Sequence, residues 1–267
     1  AKKQPRKVMS SYDLFQKKRL NLEEKYMNDL GRYLPSDRKE QVPDFQEEEK
    51  KAESSLVQAL QNISKGDFEG ARSRLLDALN AKVGFEEAYF GLVFLDLLEG
   101  HFKDLATLLP ILKSFESYGS VWKLIQGHLQ FHQGNFQGAR NLWVDLPEKP
   151  SFPSNRVYNA LVEVYTEVIE RAPGDLEPAL RLGLLYHLGG KFMEAVAVLQ
   201  DVGIYPGLVP YICESLILKG LIERRRKPVK KAVKLIRTFV ETKGDEKWLN
   251  LAKSMDGFLL SYRFLAR

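Results

Sequence analysis

The feature that most constrains this chain is a recurring piece of punctuation. The pattern Gly-x-Phe occurs at Gly66-Asp67-Phe68, Gly100-His101-Phe102, Gly134-Asn135-Phe136 and Gly190-Lys191-Phe192. The first two intervals are both 34 residues and the third is 56, which is 34 plus an insertion of 22. Three residues after each Phe stands a small or apolar residue: Ala71, Leu105, Ala139 and Ala195. A fixed period of this size marks a supersecondary unit that buries its apolar face only by stacking on its neighbours. Each glycine follows an amphipathic stretch and can take the left-handed conformation that closes a helix. The Phe opens the next helix and packs back on the first, and the small residue one turn later lets the two helices approach. The chain is therefore expected to be all-α, a solenoid of four to five stacked antiparallel helix hairpins.

This punctuation resembles the tetratricopeptide repeat (TPR) family over roughly residues 52–246. The best copy is 177–202, where Leu182-Gly183, Tyr186, Gly190, Phe192, Ala195 and Leu199 fall at the family's signature positions. The third copy keeps Gly127, Gly134, Phe136 and Ala139, and the first has Ala59, Gly66, Phe68, Ala71, Leu75 and Ala78. The second departs, with Val93 at the usual small position and Leu105 in place of Ala. A fifth, degenerate copy pairs Gly220 with Ala232, but has Lys227-Pro228-Val229 where the Gly-x-Phe turn should be.

In the family, the first helix of each repeat lines a concave groove. Carried over by repeat position, the resemblance implies a groove at Leu56, Leu60, Phe90, Phe94, Leu124, His128, Leu180 and Leu184, with Phe131 and His187 joining the same set. Some family members clamp a C-terminal carboxylate with Lys, Asn and Arg at such positions. This chain has none of them there, so that activity is not carried over. The resemblance implies instead an apolar peptide or an amphipathic helix as protein partner.

Domain boundaries follow from the punctuation. Residues 1–50 are a basic N-terminal helical segment and an acidic, proline-containing linker; 51–144 hold repeats one to three. Residues 145–175 are a connector, where Pro147, Pro150 and Pro153 block a helix, plus an extra helix. That helix is expected from Arg156 to Arg171, with Tyr158, Leu161, Val162, Tyr165, Val168 and Ile169 on one face, as a half-repeat inserted at 154–172. Residues 176–242 hold repeats four and five, and 243–267 a capping helix with Trp248, Leu249, Ala252, Met255, Leu259 and Phe264 on its apolar side. The N-terminal segment 8–34 is aromatic, with Tyr12, Phe15, Tyr26 and Tyr33. Two readings stand side by side, the segment filling the groove in cis or the groove binding a partner; a segment docked there is expected to be only marginally held, displaced by a partner helix or exchanged into a second copy as a homo-oligomer.

Charge is polarised. Residues 1–20 carry a net +6 and residues 219–237 a net +8, against +5 for the whole chain, so the remainder is acidic at −9. The second pole is Arg224, Arg225, Arg226, Lys227, Lys230, Lys231 and Lys234. Clustered Lys and Arg reward phosphates, so nucleic acid or lipid headgroups are candidates, although the aromatic residues that stack bases are missing. The third candidate is a protein partner or plain solvation, a solvated convex face beside an acidic partner surface.

Catalytic material is scarce, with four histidines and one cysteine. His128 and His132 stand four apart on one helix face, a metal-binding spacing, but no third ligand is evident in the sequence, so no metal and no cofactor are expected. His101 and His187 read as isolated residues near turns. Cys213 sits in an apolar context and reads as a buried, inert thiol. No phosphate-cradling loop occurs, and Gly189-Gly190-Lys191 is a helix turn. The expected function is a non-catalytic scaffold or adaptor in a multiprotein assembly; the alternative is nucleic-acid binding through 224–237. The charged start of the chain has no apolar stretch, and cytoplasm is the expected compartment.

Overall fold

A computed structural model describes residues 45–147, 154–201, 205–243 and 246–261. Among these residues all regular secondary structure is helical, with no strand. The helices are α1 (Phe45–Ser64), α2 (Phe68–Ala81), α3 (Glu86–Glu99), α4 (Phe102–Leu112), α5 (Gly119–His132), α6 (Phe136–Trp143), α7 (Arg156–Arg171), α8 (Leu176–Leu188), α9 (Phe192–Asp201), α10 (Val209–Ile222), α11 (Arg226–Lys243) and α12 (Glu246–Ser261). The expected basic segment and most of the acidic linker lie outside the described residues. The linker's last residues, from Phe45 to Lys50, instead form the opening turns of α1. The chain divides into two units, 1–50 and 51–267, and apart from those opening turns the described helices lie in the second. No helix among the described residues is long and apolar enough to cross a membrane.

The four glycines of the pattern do what their chemistry predicts. Gly66, Gly100, Gly134 and Gly190 have φ between 74° and 86°, the left-handed region that a side chain disfavours. The residue after each donates its N–H to a carbonyl five residues back: Asp67 to Asn62, His101 to Asp96, Asn135 to Gln130 and Lys191 to Tyr186. Carbonyls left over at the helix end are thereby satisfied. Where the middle residue is Asp67 or Asn135, its side chain also caps the next helix, accepting from the N–H of Gly70 or Gly138 at 2.9 Å.

The fifth turn departs from the sequence expectation and explains itself. It falls at Arg224, not at 227–229, and Arg224 takes the left-handed conformation (φ 52°) that glycine holds elsewhere. Arg225 donates to the Gly220 carbonyl at 2.9 Å, the same five-residue step. The turn arrives three residues early, so α11 gains nearly one turn at its start. Pro228 then lies in that first turn, where its missing N–H costs little.

Hairpin partners cross at small residues. A Cβ on Gly127 would lie 1.9 Å from Trp143 Nε1, on Gly183 2.7 Å from Leu199, and on Gly220 2.4 Å from Val229. In the second hairpin, where Val93 replaces the small residue, Gly91 makes the close approach instead, to Val157 of the inserted helix (2.9 Å). Helix α7 has the expected limits, and buries Val157, Leu161 and Tyr165. It packs on α3 and α8, while α3 also meets α8, and α5 meets both α8 and α10. Helix α12 packs on α11 and α6, and buries Trp248, Leu251, Ala252 and Met255. Leu249, expected on that apolar side, is exposed, and Leu251 takes its place.

Candidate functional site

The inner-face positions named from the sequence do not line an open groove. Leu56, Phe90, Leu124 and Phe131 are completely buried, Phe94, Leu184, His128 and His187 nearly so, and Leu60 and Leu180 are half-buried. For the residues of α3, α5, α8 and α10 the reason is that α8 packs on α3, α5 and α10, and α5 on α10. Phe90 stacks on Tyr118 with ring centroids 3.5 Å apart, and Phe94 leans on Tyr158 at 5.3 Å. The expected apolar groove is thus core, closed by the same chain's helices. The aromatic N-terminal segment, a candidate lid by its composition, lies outside the described residues.

At the centre of that core is a polar constellation. Helix α5 presents His128 and His132 one turn apart, α8 brings His187 near its C-terminal end, and α10 brings Glu214 and Ser215. His128 Nδ1 lies 2.9 Å and His132 Nε2 3.1 Å from the same oxygen, Glu214 Oε2. His187 Nε2 lies 3.1 Å from the other oxygen, Glu214 Oε1, yet the two are not aligned as a hydrogen bond, and both are buried without a hydrogen-bond partner. The second nitrogen of His187 is 2.8 Å from Ser215 Oγ. The Tyr211 ring covers His132, centroids 4.3 Å apart.

A buried charge needs compensation, and the histidines supply it. Burial acts to raise the Glu214 pKa, but His128 and His187, with hydrogen bonds from His128 and His132, outweigh it and hold the carboxyl well below its ordinary value. His132 goes the other way. Burial first, then the neighbouring His128, push it down to about 4 against the pull of Glu214, so it is a neutral imidazole at neutral pH.

The other expected groups are inert, claimed by ion pairs or out on the surface. Cys213 is fully buried, its Sγ 3.4 Å from the Ala232 carbonyl, and burial pushes its thiol pKa up, away from reactivity. A second acidic and histidine group, Asp96, His101 and Asp104, is occupied by Arg72, at 2.9 Å from Asp96 and 2.6 Å from Asp104. Of the basic patch, Arg224, Arg225, Lys227, Lys230, Lys231 and Lys234 are exposed and Arg226 is half-buried. His187, expected to be isolated, is not: it stands 28 residues from Ser215 in sequence and touches it.

Sequence reasoning names His128 and His132 but misses Glu214, 86 and 82 residues downstream of them. The signal available is an acidic residue in the middle of the otherwise apolar run Val209-Pro210-Tyr211-Ile212-Cys213-Glu214-Ser215-Leu216-Ile217-Leu218. No protein-family model matches the chain, and no curated protein matches it in sequence.

Proposed function

We propose that the chain is a non-catalytic, TPR-like helical-repeat scaffold that docks an acidic protein surface on the outer face of α11. The observation that carries this is a stripe of four lysines. Lys227, Lys230, Lys231 and Lys234 follow helical spacing along one exposed face, and none has an ion pair among the described residues. The opposite face of the same helix, Val229, Ala232, Val233 and Ile236, is buried. Several other basic side chains are matched: Arg156 by Glu53 and Glu87, Arg181 by Glu99 and Glu177, and, on α11 itself, Arg237 by Asp256. Unmatched charge concentrated on one face steers an oppositely charged partner and sets its association rate.

The repeat reading is supported by the glycine-closed turns and by the small residues at the hairpin crossings. With the inner apolar face closed, the adaptor role moves from a greasy groove to this basic stripe. A cytoplasmic location goes with the reading and is checked by fractionation of the full-length protein.

The test is a nuclease-treated pull-down with the wild type and with Lys227→Glu, Lys230→Glu, Lys231→Glu and Lys234→Glu combined. A stoichiometric acidic protein retained by the wild type and lost by the charge-reversed chain, with helicity unchanged, is the expected result. Salt-sensitive shifting of random RNA that the same variant abolishes, with no protein captured, would move the assignment to nucleic acid.

A further inference from the structure

We propose that His128, His132, His187 and Glu214 bind one divalent transition-metal ion of the zinc class, held as a structural staple between α5, α8 and α10. The site is independent of the lysine stripe, which lies on α11 and uses none of these residues.

The donor set points to zinc first. Three imidazoles and one carboxylate are borderline nitrogen and oxygen ligands that suit zinc and its neighbours, and poorly suit calcium or magnesium. The spacing agrees. Ligand atoms of His128, His132 and Glu214 all lie within 4.8 Å of one another. The three histidines approach the carboxylate oxygens at 2.9, 3.1 and 3.1 Å. A tetrahedral ion with bonds of about 2.0–2.1 Å would set its ligands about 3.3 Å apart, close to the spacing of His128 and His132 from Glu214 Oε2, whereas His187 stands 3.1 Å from the other oxygen, Oε1, outside that three-residue group, and must turn in to join the shell.

Hydrogen bonding also leaves two groups undone. His187 Nε2 and Glu214 Oε1 are buried, 3.1 Å apart and without a hydrogen-bond partner. Buried polar atoms are normally satisfied, and this nitrogen and carboxylate oxygen lie where a third group to one side could engage both. A cation placed among the donors would engage both. The outer contacts agree, because Ser215 Oγ beside His187 Nδ1 (2.8 Å) can hold the tautomer that presents the Nε2 lone pair inward.

Access and role follow from burial. The side chains of His128, His187 and Glu214 are 6%, 4% and 1% exposed, whereas His132, at 19%, is the one nearest solvent. With His187 turned in, three imidazole nitrogens and one carboxylate oxygen would fill a tetrahedral shell and leave no position for a substrate, which is the pattern of a structural rather than a catalytic site. Because the ligands come from three hairpins far apart in the chain, binding would be coupled to folding.

The experiment uses the untagged full chain, stripped with a chelator and titrated with Zn²⁺ by calorimetry and with Co²⁺ by visible absorption. One ion per chain, a tetrahedral cobalt spectrum and a higher melting temperature with zinc are expected. Loss of an outer-shell partner alone costs about 10–100-fold in metal affinity, so Glu214→Gln and His132→Gln should each lower it by at least about 100-fold. His101→Gln, in the group already claimed by Arg72, should change nothing. If Glu214→Gln fails to fold by circular dichroism, His132→Gln at the edge of the site carries the comparison. A folded wild type that takes up no stoichiometric zinc or cobalt overturns the proposal. So does an octahedral cobalt spectrum, or an affinity that survives both ligand substitutions.

Discussion

The hairpins α3–α4 and α10–α11 face the same two problems and solve them with different residues. Each buries a carboxylate on its first helix: Asp96 is 0% exposed and Glu214 is 1% exposed. Each also closes its turn with a left-handed residue. Helix α3 neutralises its acid with one permanently charged guanidinium, Arg72 from the preceding helix, assisted by His101 at 3.5 Å. Helix α10 uses three imidazoles from two other hairpins. The first turn closes on Gly100 (φ 77°), the second on Arg224 (φ 52°). A guanidinium needs only proximity, whereas imidazoles must be held at the right atoms by tertiary packing. That requirement leaves the α10 site adaptable to a ligand and the α3 site closed.

The largest expected effect falls at Arg72, the guanidinium side of this pair of solutions. Arg72→Ala leaves a buried, uncompensated Asp96 and should cost about 3–5 kcal/mol in urea unfolding. Burial already raises the Asp96 pKa, against the opposing hydrogen bond and charge of Arg72. A folded-state acid with a raised pKa binds more protons than the unfolded chain, so stability falls as pH rises through that range. The Arg72→Ala penalty should accordingly shrink as the pH is lowered toward the carboxylate range. A penalty that grows in acid would contradict this pairing.

Next in size is Glu214→Gln, measured with a chelator present so that metal plays no part. Hydrogen bonds to a charged group contribute about 1.5–3 kcal/mol, and a loss of about 2–3 kcal/mol is expected. A change below about 0.5 kcal/mol would mean that the histidines do not depend on that carboxylate for their order.

The turns carry the same contrast with smaller effects. Gly100→Ala places a Cβ in left-handed backbone and should destabilise by about 1–2 kcal/mol, read from chemical unfolding midpoints. Arg224→Gly should do the reverse, stabilising by up to about 1 kcal/mol as strain at the fifth turn is relieved, less the entropy that glycine adds to the unfolded chain. If both substitutions shift stability in the same direction, the two turns are not equivalent closures.

Local chemistry is legible from the residues alone. Gly66, Gly100, Gly134 and Gly190 end helices because the left-handed conformation is cheap only without a Cβ, and that preference acts within a few residues. Helix α7 is legible to its limits because Ala172-Pro173-Gly174-Asp175 and the upstream prolines punctuate it on both sides. Cys213 reads as inert from its apolar neighbours, and it is. The fifth turn escapes such reading because nothing in Arg224-Arg225-Arg226 favours the left-handed region, and the turn comes with a close crossing of Gly220 with Val229.

The left-handed closures at the four Gly-x-Phe turns and the basic face of α11 are therefore properties of the amino-acid sequence, since each depends on residues within a few positions of each other. Tertiary structure alone decides that Phe90, Phe94 and Leu124 are core and that Glu214 meets His128, His132 and His187. The contacts to Glu214 join side chains 27 to 86 residues apart. The packing of α7 on α3 and of α5 on α10 joins helices distant in sequence, and no local spacing encodes it.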